Sequence, residues 1–482
     1  MPVRLLLLQL LCGLSLAMST SSLKVSLGRV GAVSVQRRSL SPKKLLGADL
    51  IVREHFLEVP LDYADRDGAK ITVFVRELVK ASRANASLPF LLYQQGGPGF
   101  PSGRPSARPS GWQKCALEKY RILLLDQRGT GRSTPVTCAQ LRKLPSDESA
   151  AEYLRHFRAD SIVKDTEIVR EVVAKGQKLS LLGQSYGGFV NLCYLSTYPS
   201  SLDMVLFTCG LGPVGASVDE VYRATFKRME ARNSRFYERY PEDIELIRDI
   251  VRILHENGPL TTPRGGELTA RRFLQLGLLL GSSSGLERLH DLLEEAKGQN
   301  DTIDLSENFL HAVERAQESF ETNPIYYLLH EPIYACKNTS PGSTKWSAER
   351  VQNELPQWDF TKRLQKGDEP LLLSGEMVYS WMADDYAWLK PLRSIADKLA
   401  AKEDWGPLYD TDVLRNSPVN CAALLSYDDI YVERTFSENV ADLLGPNTRK
   451  WVTNEFQHSG LRDAPDVIFD RLHDMAKGDL TY

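Results

Sequence analysis

The most constraining stretch of this sequence is KLSLLGQSYGGFVNLC, in which two apolar segments flank a serine set between glycines. The first segment predicts a buried strand and the second predicts a helix. Gly183, Ser185 and Gly187 form a Gly-x-Ser-x-Gly pattern at the junction. Such a sharp turn exposes the serine hydroxyl, and side chains at the glycine positions would collide with neighbouring backbone. The stretch therefore predicts that Ser185 is a nucleophile, with the Tyr186 N–H available to an oxyanion.

The sequence around this turn alternates between strand-like and helix-like stretches. From residue 47 to residue 212, strands are predicted at HFLEVPLDY, KITVFVRELV, PFLLYQ, YRILLLDQ, KLSLLGQ and LDMVLFTCG. Strand-like stretches return near the C-terminus, at VNCAALLSY and RKWVTNEF. Buried strands separated by helices predict an α/β fold with a mainly parallel central sheet and helices on both faces.

A long helical segment separates these two groups of strands. From about Val214 to Leu355 the apolar residues recur almost everywhere with helical spacing. We therefore predict a mainly helical cap at residues 213–410, inserted into a core made of residues 47–212 and 411–482.

A serine nucleophile needs a histidine base and an acid that orients the base. In hydrolases built on this kind of turn, the acid and then the histidine follow the serine along the chain. His458 lies directly after the last predicted strand, whereas His473 lies within the last helix and is expected at the surface. Asp428 and Asp429 follow the preceding strand. We predict Asp429 as the acid, with Asp428 as the alternative.

The glycine-rich loop in LLYQQGGPGF follows the third predicted core strand. Glycine lets a backbone approach a substrate closely and adopt positive φ. A second oxyanion donor is expected from the loop at this position. We assign it to the N–H of Gly97, with Gly96 as the neighbouring candidate.

The segment DQRGTGRS follows the fourth predicted core strand. Asp126 and Arg128 are expected to form a charged pair that braces the loops around the nucleophile. The segment lacks the lysine of a phosphate-binding loop, so it does not predict a nucleotide site.

QGGPGF, DQRGTGRS, GQSYGGF and EFQHSGLRD, in this order, resemble the prolyl aminopeptidase (proline iminopeptidase) family of α/β-hydrolases. The resemblance is to the long forms with an enlarged helical cap, and it extends from about residue 50 to the C-terminus. It implies an α/β-hydrolase fold and a serine peptidase that releases an N-terminal residue, preferentially proline, without a metal or other cofactor. Gln95 stands where many members have a histidine, as in the long forms, and this change leaves the backbone donors intact.

An aminopeptidase must also hold a positively charged α-amino group. The resemblance gives this role to carboxylates of the cap and maps it onto Glu331 in LLHEPIYAC and Glu376 in LLLSGEMVYSW. Two carboxylates attract an ammonium strongly in a pocket of low dielectric and repel each other without one. Tyr334, Tyr379 and Trp381 are candidate walls for the proline ring, with ordinary cap packing as the alternative. The expected partners are short peptides with a free N-terminus.

Two other functions stay open from the sequence. An esterase or amidase that acts on small substrates without a free amine would use the same triad. A hydrolase-like small-molecule receptor would keep the fold without turnover, although an intact triad argues against it.

Residues 1–46 differ in composition from the rest of the chain. No Asp or Glu precedes Asp49, and seven Lys or Arg residues do. This composition is typical of a transit peptide for a plastid or mitochondrion. Arg4 followed by LLLLQLLCGLSLA is instead typical of a secretory signal peptide cleaved near Ala17. We expect residues 1–46 to be a disordered targeting leader and the enzyme to reach an organelle, with secretion as the alternative.

Net charge and cysteine spacing narrow the expected partners. A net charge of −3 gives no reason to expect nucleic acid, or stable membrane association once the leader is removed. The seven cysteines are scattered without metal-ligand spacing, so no metal site is predicted.

Overall fold

A single large sheet organises the chain in the computed structural model, which describes residues 18–27, 32–45, 49–299, 302–367 and 369–480. The strands are β1 (Met18–Ser26), β2 (Ala32–Leu40), β3 (Lys43–Lys44), β4 (Ile51–Pro60), β5 (Lys70–Val79), β6 (Phe90–Gln94), β7 (Arg121–Asp126), β8 (Leu179–Gln184), β9 (Leu202–Thr208), β10 (Leu260–Thr261), β11 (Glu267–Leu268), β12 (Asn420–Ser426) and β13 (Thr448–Thr453). The sheet order is β1-β2-β4-β5-β7-β6-β8-β9-β12-β13, with β3 beside β4, whereas β10 and β11 form a separate hairpin.

The middle of the sheet is parallel and its N-terminal edge is antiparallel. Strands β7, β6, β8, β9, β12 and β13 pair in parallel. Strands β1, β2, β4 and β5 pair antiparallel, and β5 joins β7 in the same way. The central strand β8 is buried along its whole length, as expected for a parallel strand covered on both faces. The predicted α/β fold with a mainly parallel central sheet is confirmed.

The helices follow the order that the apolar periodicity predicts. They are α1 (Gly111–Leu117), α2 (Cys138–Leu141), α3 (Asp147–Leu154), α4 (Ala159–Val172), α5 (Tyr186–Thr197), α6 (Val218–Arg239), α7 (Asp243–Glu256), α8 (Ala270–Leu274), α9 (Gly285–Glu294), α10 (Glu307–Gln317), α11 (Ser319–Thr322), α12 (Pro324–Leu328), α13 (Ser347–Glu354), α14 (Phe360–Gln365), α15 (Met382–Asp385), α16 (Arg393–Ala401), α17 (Thr411–Arg415), α18 (Arg434–Leu443), α19 (Gly460–Asp463) and α20 (Pro465–Lys477). None of those in the described ranges is long and apolar enough to cross a membrane.

Helices cover both faces of the sheet because successive side chains of each strand point to opposite sides. On one face, Leu181 packs in a cluster with residues of α4 and α5. On the other face, Leu182 packs in a cluster with residues of α1 and α20. His473 of α20 is expected at the surface, but this prediction is wrong. The residue is 8% exposed, and its Nε2 lies 3.1 Å from the hydroxyl oxygen of Tyr120.

The cap consists mainly of helices, α6 to α16, together with the short hairpin of β10 and β11. These elements lie between β9 and β12, within the range 213–410 that the sequence assigns to the cap. Their apolar side chains form a continuous cluster, which includes Phe226, Phe273 and Phe309. Leu141 of α2 and Leu154 of α3 belong to the same cluster, so the cap and the adjoining part of the core share one hydrophobic interior.

The disorder expected of residues 1–46 is contradicted for residues 18–27 and 32–45. Strands β1 and β2 pair with each other, and β2 pairs with β4 at the edge of the sheet. Val25, Leu27, Val33 and Val35 are buried in the same cluster as α4 and α5. The physical reason is a period-two apolar pattern in these strands, which the basic, acid-free composition concealed. The leader prediction for residues 1–17 lies outside the described residues.

Two truncations would test this boundary. Removal of residues 1–17 is expected to leave the melting temperature unchanged. Removal of residues 1–46 is expected to destabilise the protein by several kcal/mol, because each of the four buried apolar side chains contributes about 1.5–3 kcal/mol. Differential scanning calorimetry of both variants measures the difference. Equal melting temperatures would show that β1 and β2 add nothing to the core.

Candidate active site

Ser185 stands at the sharp turn between β8 and α5. Its φ of 54° and ψ of −128° are values that a residue other than glycine rarely adopts. Its N–H donates to the carbonyl oxygen of Thr208 at 3.0 Å, which holds the turn against β9. A Cβ on Gly187 would lie 2.1 Å from the Gln94 carbonyl oxygen, and one on Gly183 would lie 2.6 Å from the Gly187 carbonyl oxygen. Both glycines are therefore required by close backbone packing, as predicted.

His458 and Asp429 meet at the carboxyl ends of the last two strands. Nδ1 of His458 lies 2.8 Å from Oδ2 of Asp429, whose other oxygen accepts the N–H of Tyr431 at 2.9 Å. The carboxylate accepts the Nδ1 proton, so the free lone pair of the neutral imidazole lies on Nε2. Asp428 is directed elsewhere, since its Oδ2 lies 2.7 Å from the guanidinium of Arg235. Of the two candidate acids, the structure brings Asp429 to the histidine.

The end of β8 connects the serine turn to the histidine loop. The side-chain amide of Gln184, next to Ser185, donates to the carbonyl oxygen of His458 at 3.1 Å. The oxygen of the same amide accepts the Thr208 hydroxyl at 2.8 Å. The ring of Tyr431 stands edge-on to the imidazole, with 4.8 Å between ring centroids. The histidine loop is thus held against the strand that carries the nucleophile.

The glycine-rich loop after β6 touches the nucleophile. A Cβ on Gly96 would lie 2.9 Å from the Gln184 carbonyl oxygen and 3.6 Å from the Ser185 hydroxyl oxygen. Gly97 has φ of 129°, which favours glycine. On the other side of the serine, Tyr186 begins α5, where an N–H has no acceptor within the helix. The glycine loop therefore touches Ser185 through Gly96, the neighbour of the predicted donor Gly97, and Tyr186 follows the serine directly.

The two glutamines before the glycines belong to one hydrogen-bond network. Gln94 is fully buried, and its amide nitrogen lies 3.1 Å from the hydroxyl of Thr166 in α4. The side chain of Gln127 donates to the Gln94 side-chain oxygen at 3.0 Å and to the Gln95 carbonyl oxygen at 3.1 Å. This network fixes the backbone directly before the glycine loop.

Asp126 and Arg128 both brace loops, but the predicted pair between them is wrong. Asp126 accepts the N–H groups of Ser102 at 3.1 Å and Arg132 at 2.9 Å. Arg128 instead makes a buried two-pronged ion pair with Asp165 of α4, with both N–O distances at 2.7 Å. The sequence could not show this partner because Asp165 belongs to a helix that folds back onto the loop.

Glu376 of the cap lies close to the histidine and its acid. It accepts a hydrogen bond from the Tyr326 hydroxyl of α12. Enclosure by the protein raises the pKa of Glu376 to about 7, although the positive potential of His458 and the Tyr326 hydrogen bond lower it. The charge of Asp429 raises it further. One predicted amine-binding carboxylate thus lies within electrostatic range of His458 and Asp429.

Glu331 is 2% exposed and serves partly to begin a helix. Its Oε1 accepts the N–H of Ala348, in the first turn of α13, at 2.9 Å. Its Oε2 is buried without a hydrogen-bond partner in the described part of the chain. Burial raises the pKa of Glu331 to about 7, against the lowering effect of the Ala348 N–H. Oε1 is therefore committed to the start of α13, and the Thr344 side chain also lowers the pKa of this carboxyl.

Two tyrosines lie within electrostatic range of both carboxylates. Burial and then the charges of Glu376, Asp429 and Glu331 raise the pKa of Tyr334. The ring of Tyr222 in α6 stands edge-on to that of Tyr334 at 6.4 Å. The Tyr222 hydroxyl is buried and has no partner among the described residues. Sequence reasoning identified Tyr334 and missed Tyr222, whose helix shows only ordinary amphipathic spacing.

Tyr379 and Trp381 lie in a different environment. Tyr379 is 1% exposed, and its ring stacks on that of Trp381 at 4.9 Å. The guanidinium of Arg271 lies 4.7 Å from the Trp381 ring and also pairs with Asp385. These contacts favour the packing alternative for Trp381.

Cys209, at the end of β9, is a second neighbour that sequence reasoning missed. Its Sγ, a carboxylate oxygen of Asp429 and a ring nitrogen of His458 all lie within 4.8 Å of one another. Burial, and then the charge of Asp429, raise the pKa of the thiol well above its usual value. The thiol therefore stays protonated and neutral beside the carboxylate.

Comparisons with known proteins identify the family of the chain. The sequence profile of the alpha/beta hydrolase fold matches residues 89–300. A proline iminopeptidase of Aeromonas sobria is 43% identical over 420 residues, which cover 87% of this chain and 95% of that protein. A proline iminopeptidase of Aspergillus aculeatus is 32% identical over 430 residues, which cover 86% and 91%. The chain therefore belongs to the proline iminopeptidase family of α/β-hydrolases and is a serine aminopeptidase.

Proposed function

We propose that this aminopeptidase releases proline from the N-terminus of short peptides that have a free α-amino group. The observation that carries the proposal is the half-buried cap carboxylate of Glu376, which accepts the Tyr326 hydroxyl and lies within electrostatic range of His458 and Asp429. A carboxylate held out of water favours a cationic partner. The α-ammonium of a substrate whose first peptide bond lies at Ser185 supplies that cation. The relatives named proline iminopeptidase support the same substrate.

The chemistry of proline matches two acceptors. An N-terminal proline carries a secondary ammonium with two N–H bonds, and Glu376 and Glu331 each offer a carboxylate oxygen. Tyr222 and Tyr334 are in edge-on contact within electrostatic range of both acids, and their rings are the aromatic surface proposed for the aliphatic ring of proline. Both carboxylates are then paired and the ring is removed from water.

The proposed reaction passes through an acyl-enzyme. His458 Nε2 takes the hydroxyl proton of Ser185 while Oγ bonds to the carbonyl carbon of the first residue. The Gly97 and Tyr186 N–H groups hold the oxyanion. The imidazolium, stabilised by Asp429, gives its proton to the leaving amine as the peptide bond breaks. Water activated by the same histidine then hydrolyses the ester and returns the proton to Ser185.

A panel of naphthylamides tests this function. Prolyl-naphthylamide is expected to be cleaved efficiently, and N-acetyl-prolyl-naphthylamide at least about 10³-fold less, because a blocked nitrogen leaves buried carboxylates unpaired. The cleavage rate of alanyl-naphthylamide should lie between these two rates, because this substrate keeps the ammonium group and lacks the proline ring. Efficient cleavage of the acetylated compound would instead indicate an esterase or amidase that needs no free amine.

The pH dependence of substrate binding should follow the ionisation of the Glu376 carboxyl group. Its pKa is raised to about 7, so the group loses its negative charge as pH falls through 7. We expect the ratio of kcat/KM for prolyl-naphthylamide to that for a neutral naphthyl ester to fall about tenfold per pH unit below 7. His458 affects both substrates, so the ratio reports the amine-binding carboxylates, Glu376 together with Glu331, whose pKa is also raised to about 7. A ratio that stays flat between pH 5.5 and 7.5 would contradict the assignment.

A further inference from the structure

A second cavity lies away from the candidate triad, beside the N-terminal edge of the sheet. It has a volume of about 320 Å³ and is bordered by the β2–β3 region, strands β4 and β5, and the two loops that follow β6 and β7. We call it the basic cavity. Its lining residues are Leu40, Ser41, Lys43, Leu45, Val52, Glu54, Arg76, Arg104, Pro105 and Arg132.

Positive charge predominates in the basic cavity. Four of its lining residues are cationic and one, Glu54, is acidic. A single oxygen of Glu54 serves two guanidinium groups, at 3.3 Å from Arg76 and 2.7 Å from Arg132. Asp126 lies behind Arg132 and adds one more negative charge. Two positive charges remain unmatched.

The unmatched cations lie at the exposed side of the basic cavity. Lys43 and Arg104 are both exposed and make no ion pair within the described part of the chain. The guanidinium of Arg132 is held over the Phe74 ring at 4.4 Å, and Arg76 is 6% exposed. Glu54 and the Phe74 ring thus hold Arg132, which stays exposed, and Glu54 also pairs with the buried Arg76. Lys43 and Arg104 have no such ion pair in the described ranges and can close on a ligand.

The remaining wall is apolar. Leu40, Leu45, Val52 and Pro105 supply most of it. A cavity with converging guanidinium groups and an apolar side suits an anion attached to an apolar body. We propose that the basic cavity binds a small organic molecule that carries a phosphate or carboxylate group.

The segment FPSGRPS, which the catalytic chemistry leaves unused, contributes to this site. Ser102 anchors the segment, since its hydroxyl donates to the Leu125 carbonyl oxygen at 2.7 Å and its N–H donates to Asp126. Two residues later, Arg104 reaches the basic cavity. The segment that begins at the glycine loop therefore ends at the proposed anion site. A ligand there contacts the same loop without contacting the triad.

Isothermal titration calorimetry of the full-length protein with phenyl phosphate tests the proposal. We expect saturable binding of one molecule per chain, and binding at least about tenfold weaker to an Arg104→Gln, Lys43→Gln double variant. Lys143→Gln, an exposed cation outside the cavity, is the matched control and should bind like the wild type. Benzyl alcohol should not bind, and inorganic phosphate should bind more weakly than phenyl phosphate.

Three outcomes would overturn the proposal. They are no saturable binding to the wild type, equal binding by the double variant, and loss of binding after Ser185 is blocked with a fluorophosphonate. The last result would place the ligand in the active site. Unchanged cleavage of prolyl-naphthylamide by the double variant shows that the protein is folded.

Discussion

Replacing Ser185 with alanine is expected to lower kcat/KM for prolyl-naphthylamide by at least about 10⁴-fold and to abolish labelling by a fluorophosphonate. The sharp turn between β8 and α5 presents the Ser185 hydroxyl beside the glycine loop. Its removal therefore leaves the site without a nucleophile. The serine fills no apolar core position, so the melting temperature should change little. Steady-state kinetics, active-site labelling and calorimetry measure the three effects.

The two adjacent aspartates provide a matched control for the triad. Asp429→Asn is expected to lower kcat by about 10⁴-fold, because an amide no longer holds the Nδ1–H tautomer of His458. Asp428→Asn removes only a surface ion pair with Arg235, so kcat should stay within about threefold of the wild type. Comparable losses in both variants would show that the acid is not Asp429 alone.

Glu376→Gln should separate recognition of the amine from the chemistry of acyl transfer. The variant is expected to lose about 10²–10³-fold in kcat/KM on prolyl-naphthylamide, because a buried ammonium loses its charged partner. Hydrolysis of a neutral naphthyl ester should stay within a few fold of the wild type. Kinetics on both substrates measure the split, and full activity of the variant on prolyl-naphthylamide would remove the basis of the proposed specificity.

Glu331→Gln is the companion variant. One oxygen of Glu331 accepts a helix N–H from Ala348, and a glutamine side chain retains that acceptor. The α13 helix should therefore persist, so any loss of activity on prolyl-naphthylamide reports the second oxygen. We expect a smaller loss than for Glu376→Gln because part of the Glu331 charge is already satisfied. The melting temperatures of both variants show whether a loss of activity comes from weaker amine binding or from a less stable fold.

The sequence predicted the features that depend on local pattern. The strand, the Gly-x-Ser-x-Gly turn and the helix around Ser185 are adjacent in the chain, and packing at Gly183 and Gly187 follows from the turn. The placement of His458 after the last strand follows from strand order, since parallel strands bring their carboxyl ends to one edge. These relations needed no knowledge of long-range packing.

Other features depend on which distant segments pack together. Tyr326 and Tyr222 reach the site from separate cap helices, and nothing in their own stretches distinguishes them from core aromatics. Arg128 pairs with Asp165 rather than with Asp126 because α4 packs against the loop that follows β7. The N-terminal strands were hidden for a different reason, since composition suggested a leader while the alternation around Val33 and Val35 indicated a strand.

Tyr326 joins the two ends of the candidate site. Its hydroxyl bonds to Glu376, and its ring stands edge-on to that of Phe100 at 5.2 Å, directly after the glycine loop. A Cβ on Gly99 would lie 3.2 Å from the Tyr326 backbone nitrogen. Any displacement of Tyr326 would therefore disturb both Glu376 and the oxyanion loop. By thermodynamic reciprocity, a transition-state analogue would strengthen amine binding by the same factor that the amine strengthens analogue binding.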